Sequence, residues 1–168
     1  MSKITFFTAA AAAAVLALAA PALAQPRTTP AGAFLATAIK GDNSEIMLGQ
    51  LAEQRGATAR TRQFGQALVR DHTQARDQAM ALARGMGMTV PMRPMAKALA
   101  ERQRLDGLSG RAFDREFARY MVKDHQQDIG KFGAEARSHN RAAQLARATI
   151  PTLRKHLQMA RNIQRTEG

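Results

Sequence analysis

Two stretches of this chain carry the same side chains at the same spacing. Phe64, Val69, Asp71 and His72 are echoed by Phe117, Val122, Asp124 and His125, with Arg70 and Lys123 at the matching basic position. Both stretches read as amphipathic helix, so each Asp-His pair falls midway along a long helix, at the same distance from an apolar Phe. Core-facing histidines in a small bundle are the raw material of a metal site, and they also occur as ordinary core residues.

Placing each helical stretch on a 100° wheel shows which polar residues share its apolar stripe. In the first, Glu45 lies between Ala38 and Ala52, with Asp42 one turn earlier. In the second, His72 lies between Leu68 and Ala75, with Asp71 at the border of the stripe. In the third, His125 lies between Met121 and Ile129, flanked by Asp124 and Asp128. In the fourth, His156 lies between Leu153 and Ala160. Glu45, His72, His125 and His156 would therefore stand near the midpoints of four helices, and four such side chains can converge on one point in a core. Imidazole and carboxylate together suit iron, zinc, copper or manganese. Asp42, Asp71, Asp124 and Asp128 would serve as partners that fix the His tautomers, or as alternate ligands.

Two other readings stay open. Asp and His can pair across a core with no metal, at a desolvation cost, and set helix register. One or more histidines can also sit at the stripe edge and reach solvent. The di-iron carboxylate bundles carry Glu-x-x-His on two helices, and no Glu of this chain is followed by His three residues on. A weaker candidate is the methionine run Met86, Met88, Met92 and Met95, whose thioethers suit Cu(I). The alternative for these residues is a flexible apolar cap on one end of the bundle. No phosphate-binding loop, and so no nucleotide cofactor, and no Ser-His-Asp order is visible.

The elements that would hold these residues are all helical. Apolar positions keep a three-four rhythm over 33–55, 57–86, 109–138 and 141–163, and no segment alternates as a strand does. Gly56 ends the first stretch, Gly85 and Gly87 end the second, and Ser109 is a natural N-cap for the third. Pro151 lies inside the fourth and predicts a kink or a break near Thr149. Short joins make the first and second pair, and the third and fourth pair, antiparallel hairpins. The join over 87–108 holds Pro91, Pro94, Gly107 and a short helical piece near 95–105. It is long enough to run the whole length of the bundle, roughly 40 Å. The expected fold is all-α, a ferritin-like four-helix bundle over 33–163 with a long crossover between the second and third long helices, a flexible leader over 25–32 and a tail over 164–168.

The first 24 residues read as a signal peptide. Lys3 is the basic start, Phe6 to Leu18 the Ala-rich apolar run, and Ala22-Leu23-Ala24 the small-x-small site, which predicts cleavage after Ala24 and a periplasmic or secreted protein. The apolar run is short for a membrane span. The chain has no Cys, which excludes disulfides, thiolate metal sites and a lipid anchor on cysteine. Its net charge of +12 is spread over every helix. With one Tyr, no Trp and no basic-aromatic interleaving, nucleic acid is not an expected partner. A basic surface suits solubility, or attraction to anionic envelope polymers, lipid headgroups or envelope proteins.

The residues Phe34-x3-Ala38, Asn43-x-Glu45-Ile46-x-Leu48-Gly49-x-Leu51-Ala52, Phe64-x4-Val69-x-Asp71-His72-Thr73, Phe113-Asp114-x2-Phe117-x3-Met121-Val122-x-Asp124-His125 and Pro151-x-Leu153-x2-His156-Leu157 together resemble an exported bacterial family called domain of unknown function 4142. The resemblance covers nearly all of the chain after residue 24. It implies a ferritin-like fold and puts Glu45, His72, His125, His156, Asp71 and Asp124 on the family's recurrent polar positions; it implies no particular reaction. Two functions are therefore expected. The first is metal binding or handling by a periplasmic bundle, through the central His and carboxylate layer, with a transition metal of unspecified identity. The second is non-catalytic binding of anionic polymers or proteins, with the layer purely structural.

Overall fold

The computed structural model describes residues 29–167, so the expected signal peptide and most of the leader lie outside the described residues. Five helices follow one another: α1 (Pro30–Arg55), α2 (Ala59–Gly85), α3 (Ala96–Asp106), α4 (Gly110–Ala136) and α5 (Ala143–Glu167). Among the described residues there is no strand, and no helix is long and apolar enough to cross a membrane.

Local chemistry sets the ends. Thr29 caps α1 by accepting from the Gly32 N–H at 3.1 Å, and Pro30 occupies the first turn. A proline there gives up a donor the helix does not need, so α1 starts inside the segment expected to be a leader. Thr58 caps α2 in the same way, accepting from the Thr61 N–H at 3.2 Å. The last helix continues to Glu167, so the expected tail over 164–168 is helical up to its last described residue. Pro151 lies inside α5 without ending it. The proline is exposed, while Ala146, Leu153, His156, Ala160 and Ile163 on the opposite face stay buried. One absent N–H does not outweigh that packing.

Contacts between helix ends fix the direction of each helix. The buried Asp114 carboxylate, at the start of α4, accepts from the Ala57 and Thr58 N–H groups and the Thr58 hydroxyl, all at 2.9 Å. The beginnings of α2 and α4 therefore share one end of the bundle, and these helices run parallel. Arg60 near the start of α2 donates to Thr166 near the end of α5 at 2.8 Å, which sets α5 antiparallel to α2. Phe34 and Phe132 meet edge to face at 5.0 Å, which sets α1 antiparallel to α4. The join between α2 and α4 thus spans the bundle from end to end. That is the ferritin-like connection, with α3 inside it.

The crossover is tied to α1. Ser44 accepts from the Met95 N–H at 2.9 Å, Asn43 donates to the Met92 carbonyl at 3.1 Å, and Arg55 donates to the Asp106 side chain and the Leu108 carbonyl. Ala98 and Leu105 of α3 are fully buried.

Parallel α2 and α4 account for the sequence echo. Equal spacing on parallel helices gives equal depth. Phe64 and Phe117 meet with ring centroids 5.7 Å apart, and His72 and His125, two turns further along, meet at 5.9 Å.

The α1–α2 hairpin is closest where Gly49 faces Gly65. A Cβ on Gly65 would stand 2.5 Å from the Gly49 carbonyl oxygen and 2.6 Å from the Glu53 nitrogen, both backbone atoms that cannot step aside. A Cβ on Gly130 in α4 would meet nothing within 4 Å. Gly65→Ala should therefore lower unfolding stability by about 2 kcal/mol or more, whereas Gly130→Ala should raise it by about 0.5–1 kcal/mol. Urea unfolding of the two variants against wild type measures both.

Candidate metal centre

Three helices each place one imidazole at the same depth. His72 of α2, His125 of α4 and His156 of α5 are 4%, 2% and 0% exposed. Their ring centroids are 5.2 Å (His72 and His156), 5.4 Å (His125 and His156) and 5.9 Å (His72 and His125) apart. One ring nitrogen of each lies within 4.8 Å of one ring nitrogen of the other two. Among the described residues this is the one such group of three His, Asp or Glu side chains. Phe64 packs against the cluster, 5.9 Å from His156 and 6.4 Å from His125.

Each ring is held from behind. His72 Nδ1 is 2.9 Å from Asp42 Oδ1, His125 Nδ1 is 3.0 Å from the Met121 carbonyl, and His156 Nε2 is 3.0 Å from Asp71 Oδ2. A carbonyl can only accept, so His125 carries its proton on Nδ1, and the Asp71 carboxylate does the same for His156 Nε2. Burial raises the pKa of Asp42, against the opposing pull of its hydrogen bond with His72. The second nitrogens, His72 Nε2, His125 Nε2 and His156 Nδ1, are buried and have no hydrogen-bond partner. With their protons on the outer nitrogens, His125 Nε2 and His156 Nδ1 are lone-pair donors, and His72 Nε2 is one when Asp42 is the acceptor.

His125 and His156 are neutral bases by environment. Burial, reinforced by the neighbouring His72 and His156, holds His125 down to about 3 from an ordinary 6.5. Burial and His72 hold His156 down to about 4, against the opposing pull of Asp71. Burial pushes Asp71 up, but the hydrogen bonds from Arg70 and His156 outweigh it, and its carboxyl sits below the usual range. It is therefore ionised and an acceptor.

Three clustered imidazoles offer the donors a cation takes. Three nitrogens on one ion, at about 2.1 Å each, stand about 3.4 Å apart in a tetrahedral arrangement. From separations of up to 4.8 Å, the rings would draw together by about 1 Å to meet that geometry. Nitrogen donors of intermediate softness suit zinc, copper, nickel, cobalt or iron rather than magnesium or calcium.

The other candidate residues go elsewhere. Glu45 is buried, yet it is not in the close group; it lies against Asp124 on α4. As a carboxylate it has no donor for either oxygen. Burial and the neighbouring Asp124 charge raise its pKa well above the usual range. Burial raises Asp124 in turn, but its interactions with Glu45 and the Lys97 ammonium outweigh it and hold Asp124 below the usual range. Lys97 of α3 makes a close ion pair with Asp124. Asp128 accepts from Lys131 at 2.9 Å.

The methionines are dispersed. Met86 and Met88 pack on the apolar cluster around Leu35 and Ile39, Met92 is 65% exposed, and Met95 lines a small cavity beside His72.

Sequence adjacency misdirects the pairing of Asp with His. Neighbours on a helix point about 100° apart. Asp71 therefore reaches across to His156 instead of His72, and the partner of His72 is Asp42 on another helix. Lys97 gives no signal in sequence, because its partner is set by the path of the crossover. Asp114 could have been found as a polar residue inside the run Phe113 to Phe117.

A model of the family described as a domain of unknown function (DUF4142) matches residues 7–163. No curated protein and no solved structure matches the chain.

The low pKa of His125 gives a linkage with a definite sign. Below about pH 6.5 the unfolded chain takes up a proton that the folded chain refuses down to about 3. That contribution to stability is complete above pH 6.5 and is lost as pH falls. In metal-free protein, lowering pH from 7.5 to 5 should destabilise wild type by about 2 kcal/mol relative to His125→Leu. Denaturant unfolding of both proteins at the two pH values checks this.

Proposed function

The chain belongs to the DUF4142 family, and on that premise we propose that it is an exported metal-binding bundle. One transition-metal ion would be held by His72 Nε2, His125 Nε2 and His156 Nδ1. The carrying observation is a cluster of three buried imidazoles, with a ring nitrogen of each within 4.8 Å of one on each of the others, each ring holding one unpartnered nitrogen and fixed from its other side. A satisfied polar layer is a poorer account of them. In such a layer the Asp and His side chains use up each other's hydrogen-bonding capacity, whereas here each imidazole keeps one buried nitrogen with nothing to bond. Leaving a buried polar atom unpaired costs about 1–3 kcal/mol, and a bound ion removes that cost three times over.

Asp42, Asp71 and the Met121 carbonyl would orient the ligands and make them better donors. Asp71 also places negative charge behind His156, which offsets part of the charge of a bound divalent ion. Glu45 would stay outside the ligand set, beside Asp124. Three protein ligands leave a position for water or a small solute, the pattern of reactive rather than purely structural zinc sites. Export to an oxidising compartment, read from Lys3 and Ala22-Leu23-Ala24, agrees with a site built from imidazole in a chain that lacks Cys.

Protein purified without chelator or affinity tag should carry, or take up, one equivalent of zinc, copper or cobalt, and its melting temperature should fall on adding chelator. Asp42→Ala should weaken binding about 10- to 100-fold, and His125→Ala by more. Elemental analysis and calorimetric titration measure these outcomes. A wild type that takes up none of these metals, with a melting temperature indifferent to chelator, would defeat the proposal.

A further inference from the structure

Two cavities in the described structure reach a member of the His cluster, and they differ in kind. One, between α1, α4 and the crossover, has a volume of about 20 Å³ and is walled largely by apolar groups such as Phe34, Phe132 and Leu153. It has room for about one water molecule. The other is a cleft of about 380 Å³ between α2 and α5. It exists because α2 and α5 present the small side chains Ala75, Ala148 and Thr149 where they face each other.

The inner wall of this cleft includes His72 and Asp71, one imidazole of the centre and the carboxylate that holds another. Its remaining polar lining includes Gln74, Gln78, Thr152 and Lys155. Among the described residues, none of these four side chains makes a hydrogen bond or ion pair within the chain. Asp71, the one carboxylate, is already taken, accepting from Arg70 at 2.8 Å and from His156 at 3.0 Å. The cleft therefore offers free donors (an ammonium, a hydroxyl and two amides) while its strongest acceptor is in use. Such a lining fits a small, acceptor-rich anion.

We propose that the α2–α5 cleft binds a small inorganic or carboxylate-like anion beside the metal centre, with Lys155 supplying its charge. This rests on the metal reading above, because the cleft wall includes His72 of the centre. Lys155 stands on the exposed side of α5, so changing it leaves the packing of the helix intact.

The test uses the full protein loaded with cobalt(II), whose visible spectrum reports its ligands, and azide as the probe anion. Azide should shift the spectrum of wild type in a saturable way. Lys155→Glu should weaken azide binding about tenfold, with cobalt uptake unchanged. Arg93→Glu, the same charge change on an exposed residue of the crossover, should leave azide affinity within about twofold. Equal weakening by both variants would assign the effect to net charge and overturn the proposal. So would a cobalt spectrum that ignores azide, and in that case the metal centre itself stands. A wild type that takes up no cobalt would remove the centre and the anion pocket together.

Discussion

The packing of three buried imidazoles against one another, each with one unpartnered nitrogen, is the constraint around which this bundle is arranged. His72, His125 and His156 stand in one close cluster inside the core. Left alone they would rotate away or protonate. Rotation is opposed by Asp42, Asp71 and the Met121 carbonyl, each bonded to the far side of a ring. Protonation is opposed by burial, which holds His125 and His156 at about 3 and 4. A metal cation would partner the unpartnered nitrogens without disturbing either restraint.

The fold supplies the restraints through its connectivity. A crossover that makes α2 and α4 parallel brings equal steps along the two helices to equal depth, so one repeated spacing aligns Phe64 with Phe117 and His72 with His125. α5 then runs antiparallel to α2 and brings His156 to the same level, where Asp71 receives it. α1 contributes Asp42 from the fourth side. The Asp114 carboxylate fastens the start of α4 to the α1–α2 turn. That fixes the level at which the three rings meet.

What was legible in the sequence followed from periodicity. The apolar stripes gave four long helices, the crossover and its short helix, because an amphipathic face repeats and is read without knowing its partner. Polar residues on those stripes gave the list of inward-facing groups, and the structure brings three of them, the histidines, together. Glu45 shared the stripe but not the meeting point. Its depth was readable, but its lateral neighbour, Asp124, depends on which helices are adjacent. The helix ends at Pro30 and Glu167 were missed for a related reason: a single cap or a buried opposite face overrides local composition.

A crystal of the protein grown with zinc or copper, with data collected at that metal's absorption edge, tests the central claim most directly. The account predicts one strong anomalous peak inside the bundle, with His72 Nε2, His125 Nε2 and His156 Nδ1 each about 2.0–2.1 Å from it, Asp42 and Asp71 still bonded behind their rings, and Glu45 unligated. Anomalous density confined to the surface, with the three imidazoles turned apart or bridged by water, would contradict it.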